Sequence, residues 1–229
     1  MTTRRAVLRA AAGTVAGVVL RAPAAAALVA LLAACDRAGG GKASFKATDV
    51  TGADFGKSLA LTDHTGAPRT LADWKGKLVV LFFGFTQCPD VCPTTLATMA
   101  DVMKRLGPDA DRVQVLFVTV DPERDTQAVL APYVTAFDPR FVGLWGDKDA
   151  TAKAAREFKV FYQKVPGKTP QTYGIDHTAA SFVLDAQGRL RLYVKHQQPP
   201  EDIAAALKTL LAGAVGSRPP PPPPPYRLP

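Results

Sequence analysis

Two cysteines, Cys88 and Cys92, stand with three residues between them in the run Gly84-Phe85-Thr86-Gln87-Cys88-Pro89-Asp90-Val91-Cys92-Pro93. Two thiols this close can do two kinds of chemistry. They can cycle between dithiol and disulfide, or as thiolates they can hold a soft metal ion. A redox dithiol usually has the Cys-x-x-Cys spacing. The extra residue sets the sulfurs one helical turn apart if the backbone is helical, or lets them converge in an irregular turn. Both arrangements suit two sulfurs around one ion, and soft sites prefer Cu(I) or zinc. A thiolate pair satisfies Cu(I), and a third, nitrogen ligand would let the site hold Cu(II) as well.

The elements around the pair must position it. Leu78–Phe83 is an unbroken apolar run, too short for a helix and rich in β-branched and aromatic residues, so it reads as a buried strand. From Pro93 to Leu106, apolar residues recur at Leu96, Met99, Val102, Met103 and Leu106, which is helical spacing. The thiols therefore lie at a strand-to-helix turn. The partial positive charge of a helix N-terminus is expected to favour thiolate over thiol there.

The rest of the chain supplies a frame. Phe45–Asp73 alternates around the hairpin turn Asp63-His64-Thr65-Gly66. Val113–Val120 reads as a second buried strand. Asp125 is expected to cap a helix with Val129, Tyr133, Val134 and Phe137 on one face. A short strand at Phe141–Trp145, a short helix at Asp149–Phe158 and an extended Val160–Val165 follow. Pro166–Asp176 reads as a polar loop ending at His177. Strands at Ser181–Asp185 and Leu190–Val194 form a hairpin, and a last helix from Pro200 buries Ile203, Leu207, Leu210 and Leu211. This order predicts an α/β, thioredoxin-like layered fold, with a central mixed sheet flanked by helices and an N-terminal β-hairpin extension.

Three histidines compete for the nitrogen position. His64 sits in a predicted hairpin turn and His196 in a polar stretch after the last strand, so both read as exposed. His177 ends the long loop, and in a thioredoxin-like fold that loop packs beside the helix-start motif. His177 is the expected third ligand.

Composition limits the other functions. The formal charge is +8, but Arg4, Arg5, Arg9 and Arg21 lie in the first 34 residues, which hold no acids, leaving 24 basic against 20 acidic residues. No basic stripe interleaved with aromatics argues for nucleic acid. Two thiols in the folded part cannot make a disulfide framework. Residues 1–34 have a basic start, an apolar stretch and small residues, and read as a signal peptide. Its ending, Leu32-Ala33-Ala34-Cys35, resembles a bacterial lipobox with Cys35 as the lipidated residue, and Thr3-Arg4-Arg5 resembles a twin-arginine export signal. The expected place is the periplasmic side of the cell membrane, lipid-anchored. Residues 35–44 read as a flexible tether, 45–212 as the domain, and 213–229, with seven consecutive prolines at Pro219–Pro225, as an extended tail.

The CxxxCP run, then Val120-Asp121-Pro122-Glu123-Arg124-Asp125-Thr126, then Tyr173-Gly174-Ile175-Asp176-His177-Thr178 together resemble the Sco/SenC family of copper-delivery proteins for cytochrome c oxidase. The resemblance covers roughly residues 45–212. It implies copper, as Cu(I) or Cu(II), held by Cys88, Cys92 and His177, and an oxidase subunit with a binuclear copper site as partner. Other copper chaperones or thioredoxin-like reductants are further implied partners. Asp121 matches a family aspartate near the metal, expected to tune the site or meet a partner. Asp176 is expected to accept a hydrogen bond that orients the histidine. The resemblance also allows a thiol-disulfide oxidoreductase in which Cys88 and Cys92 are the redox pair. A peroxidase fits less well, because Phe85-Thr86-Gln87 before Cys88 lacks the threonine and proline set of peroxide-reducing members of the fold.

Overall fold

The two apolar runs that flank the cysteine motif in space become the two central strands. A computed structural model describes residues 45–169 and 172–213. The expected signal peptide, the lipobox at Cys35, the tether and the proline-rich tail lie outside the described residues. Strand β4 (Leu78–Gly84) and strand β5 (Val113–Thr119) pair in parallel over their whole length, and every residue of both is buried. Covered on both faces, such strands have no polar side to show, which is why they read as mainly apolar runs rather than alternating ones.

These two strands lie inside an eight-stranded mixed sheet. On one side of β4, β9 (Ala180–Leu184) pairs antiparallel to it, then β10 (Leu190–Lys195), then the short β1 (Thr48–Asp49) at the edge. On the other side of β5, β6 (Val142–Trp145) runs parallel, followed by the hairpin of β2 (Ala60–Asp63) and β3 (Pro68–Thr70). The fold is thioredoxin-like, a mixed sheet with helices on its faces, and the N-terminal hairpin extends the sheet at its far edge.

Helix α1 (Val91–Leu106) follows β4 and buries Leu96, Met99, Val102, Met103 and Leu106 with Cys92. It begins two residues before the expected Pro93, so Cys92 itself sits in its first turn. Helix α4 (Pro200–Gly213) packs beside α1 and buries Ile203, Leu207, Leu210 and Leu211. Helix α2 (Gln127–Thr135) departs from expectation in two respects. Its N-cap is Thr126, with no side-chain capping bond, so Asp125 does not cap it. Its buried face carries Leu130 and Val134, while Val129 is 40% exposed. Helix α3 (Lys148–Glu157) is capped by Asp147, whose carboxylate accepts the Ala150 amide at 2.8 Å. Among the described residues no helix is long and apolar enough to cross a membrane.

The segment before His177 is the largest local difference. Strand β7 (Tyr162–Val165) and strand β8 (Gly174–His177) form a separate two-stranded hairpin, with Tyr162 opposite His177. Alternation is absent from Gly174-Ile175-Asp176-His177, and Gly174 weakens a strand reading, so the sequence shows only a loop there. The hairpin holds the His177 backbone against Tyr162 of β7.

Candidate metal centre

The C-terminal end of β4 delivers the site. The chain leaves the strand at Gly84, turns through Phe85–Asp90 and enters α1. Cys92 is fully buried in the first turn of α1, and Cys88 is half-buried in the turn. The Cys92 amide donates to Cys88 Sγ at 3.5 Å, and both cysteines are free thiols. His177 arrives from β8, with Nε2 at 3.5 Å from Cys92 Sγ. The ligand atoms of Cys88, Cys92 and His177 all lie within 4.8 Å of one another.

The imidazole is held in one tautomer. Its Nδ1 is 3.1 Å from the Thr178 carbonyl, which can only accept, so Nδ1 carries the proton and Nε2 keeps a lone pair toward the sulfurs. Asp176 was expected to orient this ring. It is exposed and acts on His177 only through its charge, and the backbone carbonyl of Thr178 takes the orienting role. The Phe82 and Phe85 rings meet the imidazole edge-on, each at 5.9 Å. Burial lowers the His177 pKa, which keeps the ring neutral near pH 7 and its lone pair available.

The expectation of an activated thiolate fails at Cys92. Burial pushes its thiol well above the usual range, and the neighbouring Cys88 adds to this, whereas the Phe85 amide favours the thiolate but is outweighed. Cys92 is thus a thiol in the metal-free protein, and its S–H can donate to His177 Nε2. A cation replaces that proton and meets two sulfurs and one imidazole nitrogen, a donor set suited to a soft ion.

Asp121 and Asp125, at the end of β5, support the site from beneath. Parallel pairing places the end of β5 beside the end of β4. Asp125 is fully buried and accepts three bonds, from the Thr86 amide at 2.9 Å, the Thr86 hydroxyl at 2.5 Å and the Thr119 hydroxyl at 2.7 Å. It therefore fastens the turn that carries Cys88. Asp121 is also fully buried, so its carboxylate is not open to a partner, and it is not one of the clustered metal-ligating groups. It accepts from Arg124 Nε and, at 2.6 Å, from the Tyr173 hydroxyl. Arg124 then reaches Gln87 Oε1 at 3.0 Å and the Tyr173 carbonyl at 2.9 Å, and lies 3.6 Å over the Tyr173 ring. The cysteine turn and the histidine hairpin are joined through this one guanidinium.

The other histidines have structural partners. His64 Nδ1 accepts the Gly143 amide at 2.9 Å, and His196 Nδ1 lies 3.3 Å from the Thr95 hydroxyl. Both are partly buried rather than exposed as the sequence suggests. Gly84 is a site residue that sequence reasoning passes over. A Cβ there would stand 2.7 Å from Cys92 Sγ and 2.8 Å from the Phe117 ring. Gly84→Ala is expected to destabilise the protein by about 1–3 kcal/mol through overpacking and to weaken metal binding by displacing Sγ. Thermal unfolding and metal titration of the variant check both.

The SCO1/SenC family model matches residues 47–212. The chain belongs to the SCO1/SenC family. A mouse family member, the mitochondrial SCO2 homolog, is 39% identical over 156 residues, covering 67% of this chain and 61% of the mouse protein. The chain thus spans less than two thirds of that relative's length. A Rickettsia felis SCO2-like protein is 36% identical over 158 residues, 67% of this chain and 76% of its own. Among solved Sco structures, copper-bound ScoI of Bradyrhizobium japonicum is 42% identical with a TM-score of 0.64, covering 68% of this chain and 99% of ScoI. Apo Sco1 of Thermus thermophilus is 41% identical with a TM-score of 0.67, covering 75% and 99%.

Proposed function

We propose that this chain is a membrane-tethered bacterial copper metallochaperone that binds one copper through Cys88, Cys92 and His177 and delivers it to the binuclear copper site of cytochrome c oxidase. The observation that carries the reading is the convergence of two sulfurs and one oriented imidazole nitrogen within 4.8 Å. The copper-bound Bradyrhizobium relative supports the choice of metal. A lipid on Cys35 would hold the domain at the periplasmic face of the membrane, near an oxidase subunit. Handover proceeds by ligand exchange. Half-buried Cys88 is the sulfur an incoming thiolate can reach, while fully buried Cys92 is the sulfur that releases the ion last. Loading displaces thiol protons, so copper uptake is coupled to proton release.

Anaerobic titration with Cu(I) and Cu(II) tests this reading. One copper per chain is expected, with Cys88→Ala and Cys92→Ala losing tight binding of both ions and His177→Ala losing Cu(II) binding. A purified chain that binds no copper, or a His177→Ala variant with unchanged affinity and spectrum, contradicts it.

A second reading is a thiol-disulfide oxidoreductase that keeps the oxidase copper-site cysteines reduced. The two adjacent free thiols favour it. A redox role alone needs no histidine. Function that survives His177→Ala and requires both cysteines would select it.

A further inference from the structure

The end of the sheet away from the metal centre carries a cleft that the copper reading does not use. Strand β4 runs toward the cysteine turn, and Leu184, the last residue of β9, pairs with Val79 near the start of β4. Leu190, which opens β10, also pairs with Leu184, so the β9–β10 turn lies at the opposite end of β4 from Cys88. Between that turn and residues 51–57 is a cleft of about 560 Å3. Sites for small organic ligands have this size. Ala53, half-buried Phe55 and buried Leu190 give it an apolar lining. Lys57, Arg189 and Arg191 line it as well, and among the described residues no carboxylate does.

The three cations are not equally engaged. Buried Asp185 accepts from Arg189 at two points, Nε at 2.9 Å and NH2 at 2.8 Å, so its charge is matched there. Lys57 lies 3.7 Å from Asp54, and both side chains are exposed, which makes a loose surface pair. Arg191 differs from both. Its Nε donates to the Thr51 hydroxyl at 2.8 Å, and its NH1 reaches Asp185 only at 3.4 Å. Its NH2 has no partner among the described residues, although the side chain is only 25% exposed. This guanidinium is thus held in place and largely covered, with one edge free. Further positive charge stands nearby. Lys159 sets its ammonium 4.5 Å from the centre of the Phe55 ring, and a 2.8 Å bond from the Gly76 amide to the Ala186 carbonyl ties exposed Lys75 and Lys77 to the β9–β10 turn.

An acid group at the free edge of Arg191 forms a charge-assisted bond in a partly desolvated setting, where such bonds are strong. Phe55 and Leu190 then cover whatever apolar body the acid carries. We propose that this cleft binds an organic anion with an apolar body, its acid group on Arg191. The inference is independent of the copper reading, because no ligand to copper lines the cleft.

Calorimetric titration of the full chain with naphthalene-2-sulfonate tests it. One molecule per chain is expected to bind. Naphthalene-2-sulfonamide, with the same rings and no charge, should bind about tenfold more weakly, the size of one charge-assisted hydrogen bond. Methanesulfonate, with the charge and no rings, should be weaker by a similar factor. Arg191→Gln should weaken the sulfonate about tenfold and leave copper loading as in the wild type. Lys57→Glu changes an exposed side chain and should also weaken the sulfonate, which keeps the test decisive if Arg191→Gln does not fold. Displacement of the sulfonate by monomeric dihexanoylphosphatidylglycerol assigns the anion to a lipid headgroup, and lack of displacement assigns it to a free organic acid. A wild-type chain that does not bind the sulfonate, or binds it no tighter than the sulfonamide, overturns the inference. So does a folded Arg191→Gln or Lys57→Glu chain with wild-type affinity.

Discussion

Asp125→Ala should lower stability by about 2–4 kcal/mol and weaken copper binding together, although Asp125 is not a ligand. Three donors converge on this carboxylate, and the Thr86 amide cannot turn away to find another acceptor. With Asp125 gone, the turn from Phe85 to Asp90 loses its attachment to the end of β5, and Cys88 loses its fixed place. Asp125→Asn should behave differently. Its oxygen can keep the Thr86 amide and the Thr119 hydroxyl, and its NH2 can donate to the Thr86 hydroxyl, which accepts as readily as it donates. Burial raises the pKa of Asp125, and the expected contrast separates its hydrogen bonds from its charge. Denaturant unfolding and copper titration of both variants check the contrast. Equal losses in Asn and Ala would mean that the charge, not the hydrogen bonds, matters.

Arg124→Met should cost about 3–5 kcal/mol, the range for removing one partner of a buried ion pair. Among the described residues it leaves the Asp121 carboxylate with only the Tyr173 hydroxyl as a partner, at zero exposure. It also cuts the links from Gln87 to the Tyr173 backbone, the connection between the cysteine turn and the β7–β8 hairpin. Copper should therefore dissociate faster, because His177 is less firmly held. Arg124→Lys should not rescue either property. A lysine cannot serve Asp121, Gln87 and the Tyr173 carbonyl at once or lie flat on the Tyr173 ring. Adding Asp121→Leu to Arg124→Met should recover stability by removing the uncompensated charge, without restoring copper retention. Hydrogen exchange along β8 should rise in the single and double variants alike.

Much of this arrangement was legible from residue types. β4 showed itself as an unbroken apolar run and β5 as one broken only by Gln114 and Thr119, and α1 and α4 by their helical spacing. The ligand atoms of Cys88, Cys92 and His177 come together because those elements meet where the element order of a thioredoxin-like fold puts them. The supports around them were harder to read. Asp125 looked like a helix cap because an acid before an apolar helix usually is one, and only the parallel register of β4 and β5 reveals Thr86 as its partner. Asp176 adjoins His177 in sequence, but successive side chains on a strand point to opposite faces, so it could not face the ring's far nitrogen. Burial reversed the expected effect of the helix N-terminus on Cys92, because whether a thiol at that turn is covered depends on the hairpin that packs over it. Gly84 opens the cysteine run, but its packing role gave no signal, since it matters only through the atom it leaves room for.

X-ray absorption of the copper-loaded protein reads the ligand set of the copper itself. Two sulfurs and one imidazole nitrogen are expected around a single copper in the Cu(II) form, with the nitrogen lost in His177→Ala. A sphere without that nitrogen in the wild-type protein, or one unchanged by His177→Ala, would contradict it.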